Sequence, residues 1–278
     1  MRHTKPLRLA VAITMALFVA RAAVAAPIIG TLVENNPDLT RPAAVVSSAL
    51  YPSPSGTSAD LQDEAFAYAN RTHEYTAVRT NPSTGVLSTV ATHELQPFPS
   101  YLVGLEYIQV SNDNRSVANY SLDVTLTEPA IAYLFLDNRL NGPLSNLSSL
   151  STTDPVLGGP LQWVIDDGWE RVNTGFMPGG QADYLGIDEG VTVASEDLRN
   201  HTSTGLVGGS GNGLNNFFAI YTKQFAAGTH IGFTKQLGIV GGNMYGVAVA
   251  PVPEPSTLAI LFAAALAGLG AFRLRGKR

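Results

Sequence analysis

One triplet occurs twice in this chain, as Asp113-Asn114-Arg115 and as Asp137-Asn138-Arg139, each time soon after a run of β-forming residues. A carboxylate, an amide and a guanidinium in three positions supply both charges, donors and acceptors. Two such turns at one end of a sheet could grip sugar hydroxyls or an anionic glycan group through charge-assisted hydrogen bonds. The same residues also build ordinary turns, because Asp and Asn bond their own backbone; each Arg would then pair with a nearby carboxylate. Trp163 and Trp169 flank Asp166-Asp167-Gly168, which reads as a turn between two strands. An exposed indole would stack on a sugar ring, and a buried one would fill core. Asp113, Arg115, Asp137, Arg139, Trp163 and Trp169 are therefore the candidate ligand-binding residues, each with a structural reading beside the binding one.

Signs of catalysis or metal binding are weak. His73, His93, His201 and His230 show no metal spacing, and neither His-Glu-x-x-His nor Gly-x-Ser-x-Gly is present. The adjacent acids Asp188-Glu189 and Glu196-Asp197 would point to opposite faces of a strand, which argues against a paired-carboxylate site. No catalytic residue, metal ligand or cofactor is assigned; acidic loops holding Ca²⁺ through oxygen ligands are the one cofactor alternative. The glycine-rich stretch from Gly208 to Gly213 lacks the repetition and the Asp residues of a calcium-binding repeat and reads as a flexible loop.

The C-terminal end carries a different kind of signal. Val252-Pro253-Glu254-Pro255-Ser256 is followed by an uncharged apolar run, Thr257 to Phe272, and then by Arg273-Leu274-Arg275-Gly276-Lys277-Arg278. Two prolines fix φ and remove donors, so the first segment presents extended backbone. The run would be roughly 24 Å long as a helix, at the short edge of what spans a bilayer. The basic end holds to the cytoplasmic side. This tail resembles the PEP-CTERM sorting signal of Gram-negative bacteria. The resemblance implies recognition, and processing, by the membrane enzyme exosortase. It also implies a final location at the cell surface or in an exopolysaccharide or biofilm matrix. An ordinary tail anchor is the plainer alternative.

At the other end, Arg2, Lys5 and Arg8 precede the apolar stretch Leu9 to Ala20, and Ala23-Val24-Ala25 offers small residues for cleavage after Ala25. That is the pattern of a secretory signal peptide, with the Sec translocon and signal peptidase as expected partners. Between the two ends, residues 26–251 hold nine basic and twenty-one acidic residues, a net charge of −12 against −5 for the whole chain. Nucleic acid is therefore not an expected partner. The absence of cysteine excludes disulfides, thiolate metal sites and lipoprotein anchoring.

The expected order is a signal peptide (1–25), a flexible N-terminal arm (26–58), a β-sandwich ectodomain (59–251), the sorting motif (252–256), a single transmembrane helix (257–272) and a basic cytoplasmic tail (273–278). The ectodomain reads as all-β and antiparallel, a sandwich or jelly roll. Leu122, Val124 and Leu126 alternate with Asp123, Thr125 and Thr127, as in a half-buried strand. Ile131 to Leu136 is nearly all apolar, as in a central strand. Tyr101 to Val110, Leu161 to Ile165, Phe217 to Thr222, Ile231 to Thr234 and Met244 to Val249 read as further strands. Ala59 to Asn70 fits a short helix or a strand. Asn70-Arg71-Thr72-His73, Asn112-Asp113-Asn114-Arg115, Leu136-Asp137-Asn138-Arg139, Gly228-Thr229 and Met244-Tyr245 together resemble an uncharacterised β-rich domain of PEP-CTERM and related exported proteins, which implies no activity. The sequence thus points to an exported, non-enzymatic protein of the cell surface or matrix, with a structural or glycan-binding role. The alternative is a secreted glycan hydrolase or lyase.

Overall fold

The computed structural model describes residues 27–37, 42–46, 61–63, 65–90, 92–117, 119–141, 151–188, 214, 216–234 and 242–252. The signal segment with Ala23 and Ala25, the residues Pro253 to Ser256, the apolar run 257–272, the basic end, the Gly208–Gly213 stretch and the pair Glu196-Asp197 lie outside the described residues. Among the described residues no helix is long and apolar enough to cross a membrane.

In chain order the strands are β1 (Ile29–Asn35), β2 (Ala44–Val46), β3 (Ala65–Tyr68), β4 (Arg71–Thr76), β5 (Arg79–Thr80), β6 (Leu87–Ser88), β7 (Glu94–Leu95), β8 (Glu106–Gln109), β9 (Ser121–Leu126), β10 (Ala130–Asp137), β11 (Glu170–Arg171), β12 (Tyr184–Asp188), β13 (Asn216–Phe225), β14 (His230–Phe233) and β15 (Gly246–Pro251). The main sheet has the order β2-β8-β15-β10-β13-β12-β4-β3, with β11 paired to β13. All its ladders are antiparallel.

The sheet curls around one residue. The Tyr75 ring on β4 lies 6.2 Å from Tyr107 on β8, 5.5 Å from Phe135 on β10 and 6.2 Å from Phe218 on β13. In a flat sheet β4 and β8, five strand spacings apart, would be separated by about 24 Å. The far edge closes on β8 through a parallel bridge between Tyr68 and Val110 and the bond from the Ala69 N–H to the Val110 carbonyl, 3.0 Å. Gly246, at the centre of the curl on β15, is glycine for a steric reason. A Cβ there would stand 2.0 Å from the Tyr75 hydroxyl and 2.7 Å from the Phe135 ring.

The Tyr75 hydroxyl is fully buried and has no hydrogen-bond partner among the described residues, and burial pushes its pKa well up. A buried hydroxyl without a partner costs about 1–3 kcal/mol. Tyr75→Phe is therefore expected to raise the midpoint of urea unfolding, although it alters the centre of the core. An unchanged or lowered midpoint would show that the hydroxyl is satisfied in solution.

A three-stranded sheet, β1-β9-β14, packs on the outer face of the curl. Leu122, Val124 and Leu126 of β9 are buried while their neighbours are half-exposed, so the period-2 pattern sets which face turns inward. Phe233 of β14 is 5.8 Å from Tyr245 and 5.8 Å from Trp169, which joins the two sheets. A third small sheet has the order β6-β5-β7.

Several local expectations need correction. Part of the segment read as a flexible arm is sheet: β1 pairs with β9 and β2 with β8. The buried Glu106 carboxylate holds the entry to β1 by accepting the Ile28 N–H at 2.9 Å and the Ile29 N–H at 3.0 Å. Leu161 to Ile165 is not a strand. A 3-10 turn over Gly159–Leu161 with proline in its first turn leads into the short helix α1 (Gln162–Asp166). Leu161 and Val164 are buried and Ile165 is exposed, a helical spacing. Gly168, at φ 72°, ends that helix, so Asp166-Asp167-Gly168 is a helix terminus and not a hairpin turn. Of Tyr101 to Val110 only Glu106–Gln109 is strand, because a turn closed by the bond from the Leu102 N–H to the Pro99 carbonyl precedes it. Ala65–Tyr68 is a strand, buried on both faces.

Candidate functional site

Both Asp-Asn-Arg triplets lie at the same end of the main sheet, and each ends a strand in a 3-10 turn: β8 leads into Asn112–Ser116, and β10 into Asn138–Asn141. Asp137 is fully buried. Its Oδ1 accepts from the Arg139 backbone N–H at 2.8 Å and from Arg139 Nε at 3.0 Å. Its Oδ2 accepts from Arg139 Nε at 3.0 Å, from Arg139 Nη2 at 2.6 Å and from the Asn243 N–H at 2.7 Å. The Arg139 side chain is 8% exposed. Asp113 sits nearer solvent. It pairs with Arg71 Nη2 at 2.6 Å and with Arg115 Nη1 at 3.1 Å, and it accepts from Asn70 Nδ2 at 2.9 Å. Arg115 Nη1 also caps the Asn112 carbonyl at 2.6 Å.

Three asparagines join the two triplets. The Asn112 N–H donates to Asn70 Oδ1 at 2.8 Å, Asn112 Nδ2 donates to Asn243 Oδ1 at 3.1 Å, and the Met244 N–H donates to Asn112 Oδ1 at 2.8 Å. Asp113, Asn70, Asn112, Asn243 and Asp137 thus form one chain of hydrogen bonds. Tyr68 locks it to β3 by donating its hydroxyl to the Met244 carbonyl at 2.6 Å.

The middle residues of the two triplets differ. Asn114 donates to Glu34 Oε1 at 3.1 Å, and Tyr120 donates to the same oxygen at 2.8 Å, which ties β1 to the turn after β8. Asn138 is fully buried, and neither atom of its amide has a partner among the described residues. His73, on β4, completes the group. Its pKa is lowered from 6.5 to about 4, first by burial and then by the Arg71, Arg139 and Arg115 charges, while a hydrogen bond with Asn243 works in the opposite direction. The ring is neutral at physiological pH and stands edge-on to Tyr68 at 5.7 Å.

The tryptophans do not join this group. Trp169 is buried, 5.7 Å from Phe225 and 5.8 Å from Phe233; Trp163 is half-buried, 6.1 Å from Phe233 and 6.2 Å from Tyr245. Both fill the space between the sheets. Among the described residues no group of three or more His, Asp or Glu side chains gathers in a metal-binding arrangement. The network instead acts as a tie among β3, β4, β8, β10 and the approach to β15. Asn70, Arg71, His73, Asn112 and Asn243 complete it and were not singled out as site residues. The signal for Asn70, Arg71, His73 and Asn112 is membership of the motifs that resemble the exported β-rich domain; Asn243, just before Met244-Tyr245, carries none.

The end of the sheet opposite this network leads to the tail. β15 runs into Val252, whose N–H donates to the Pro129 carbonyl at 3.1 Å. Residues 251–278 match the family model of the PEP-CTERM protein-sorting motif. No curated protein and no solved structure matches the chain. The motif marks the chain for recognition by an exosortase, for export and for sorting to the cell surface.

Proposed function

We propose that this exosortase-sorted surface protein is a non-enzymatic structural component of an exopolysaccharide or biofilm matrix, released into it once its tail has been processed. The sorting motif joined directly to a folded β domain carries this reading. The internal saturation of Asp137 supports a structural role for the triplets over a ligand-gripping one. Glu254 is the charged residue between the two prolines of the motif. Glu254→Ala is expected to leave the protein in the membrane fraction of its host and to empty the surface pool; an undiminished surface pool would contradict the sorting step. The purified surface form should co-sediment with the host's exopolysaccharide and release no reducing ends. Release of reducing ends would establish a glycan-active enzyme instead.

A further inference from the structure

We propose that the tail-proximal end of the β domain is a docking surface for the membrane enzyme that reads the sorting motif, an inference that rests on the exosortase reading above. Val252 is still bonded to Pro129, and the next Cα follows at about 3.8 Å. From Val252 to Thr257, where the apolar run begins, five residues reach at most about 18 Å. An enzyme that grips Pro253-Glu254-Pro255 in the folded protein therefore meets the surface around Val252.

That surface consists of two connections and the first residue of the domain. Thr127, Glu128 and Pro129 are exposed and connect β9 to β10. The turn at Ala226 to Gly228 lies beside them, with the Gly228 N–H donating to the Leu126 carbonyl at 2.9 Å. Pro27 is fixed at the same end, because Thr127 Oγ1 donates to its carbonyl at 2.7 Å. Residues 27 and 252 thus leave the domain on either side of Thr127–Pro129, so an N-terminal leader and a C-terminal tail would tether this end to one membrane. The two connections expose small or apolar residues, with Glu128 as their charged group, and Gln224 is exposed beside them at the end of β13.

The test follows tail removal from the full chain in its own host, by intact mass of the exported protein over time. Four forms are compared: the parent, Glu128→Arg, a flexible Gly-Ser insert between Val252 and Pro253, and the two changes combined. The proposal expects Glu128→Arg to slow tail removal roughly tenfold, the effect of losing one charge-assisted contact. The insert alone should slow it to a similar extent, because it moves the domain end away from the enzyme, and Glu128→Arg should then add no further slowing in the combined form. Processing of Glu128→Arg at the parental rate overturns the proposal. So does a further tenfold slowing by Glu128→Arg on top of the insert, which would reflect the fold and not contact at this surface. A parent that keeps its tail at the surface overturns the exosortase reading itself, and this inference with it.

Discussion

Arg139→Ala lowers the unfolding free energy by about 3–5 kcal/mol, the range for removing one partner of a buried ion pair. The fully buried Asp137 loses its bidentate guanidinium and keeps two backbone N–H donors, from Arg139 and Asn243. Most of the cost is the carboxylate left in a low-dielectric site. Arg139→Lys restores charge without the planar fork, so it should recover only part of the loss. Urea unfolding of the three forms measures this. The result also decides between the two readings of the triplet. Unchanged stability with weakened binding to an acidic polysaccharide would identify Arg139 as a ligand contact. Parallel loss of fold and binding identifies it as structural.

The second large effect is a dependence of stability on pH that originates at His73. In the folded protein its ring is kept neutral down to about pH 4 by burial and by Arg71, Arg139 and Arg115. In the unfolded chain it takes up a proton near pH 6.5. Between these values the unfolded state binds more protons, so stability falls as pH falls. The loss begins near 6.5, is complete near 4, and amounts to about 3 kcal/mol. His73→Gln cannot titrate and should flatten the urea midpoint across this window. An equally steep fall in His73→Gln would assign the acid sensitivity to the carboxylates.

The sequence showed most clearly what is local or linear. The Leu122, Val124 and Leu126 alternation fixed a strand and its buried face, because a period of two leaves one face for the core. The sorting tail was legible because its recognition elements are contiguous. Closure of the main sheet was not, since Tyr75 meets Phe135 and Phe218 only through pairings between strands far apart in the chain. α1 was missed because five apolar-rich residues suit either strand or helix, and the decisive signals were the flanking Pro160 and Gly168. The two triplets show the limit of motif reading. Their shared end of the sheet was anticipated as the condition for a site. Yet Asn114 is bonded to Glu34 of β1 while Asn138 has no partner among the described residues, a difference that the shared triplet does not encode.

Export and sorting of the chain through its C-terminal motif can be checked by intact-mass analysis of the surface-exposed protein from its own host. The expected mature form ends within or just after the Pro253-Glu254-Pro255 segment and lacks Thr257 to Arg278. A surface pool that retains the full basic C-terminus, or a chain found only in the cytoplasm, would contradict it.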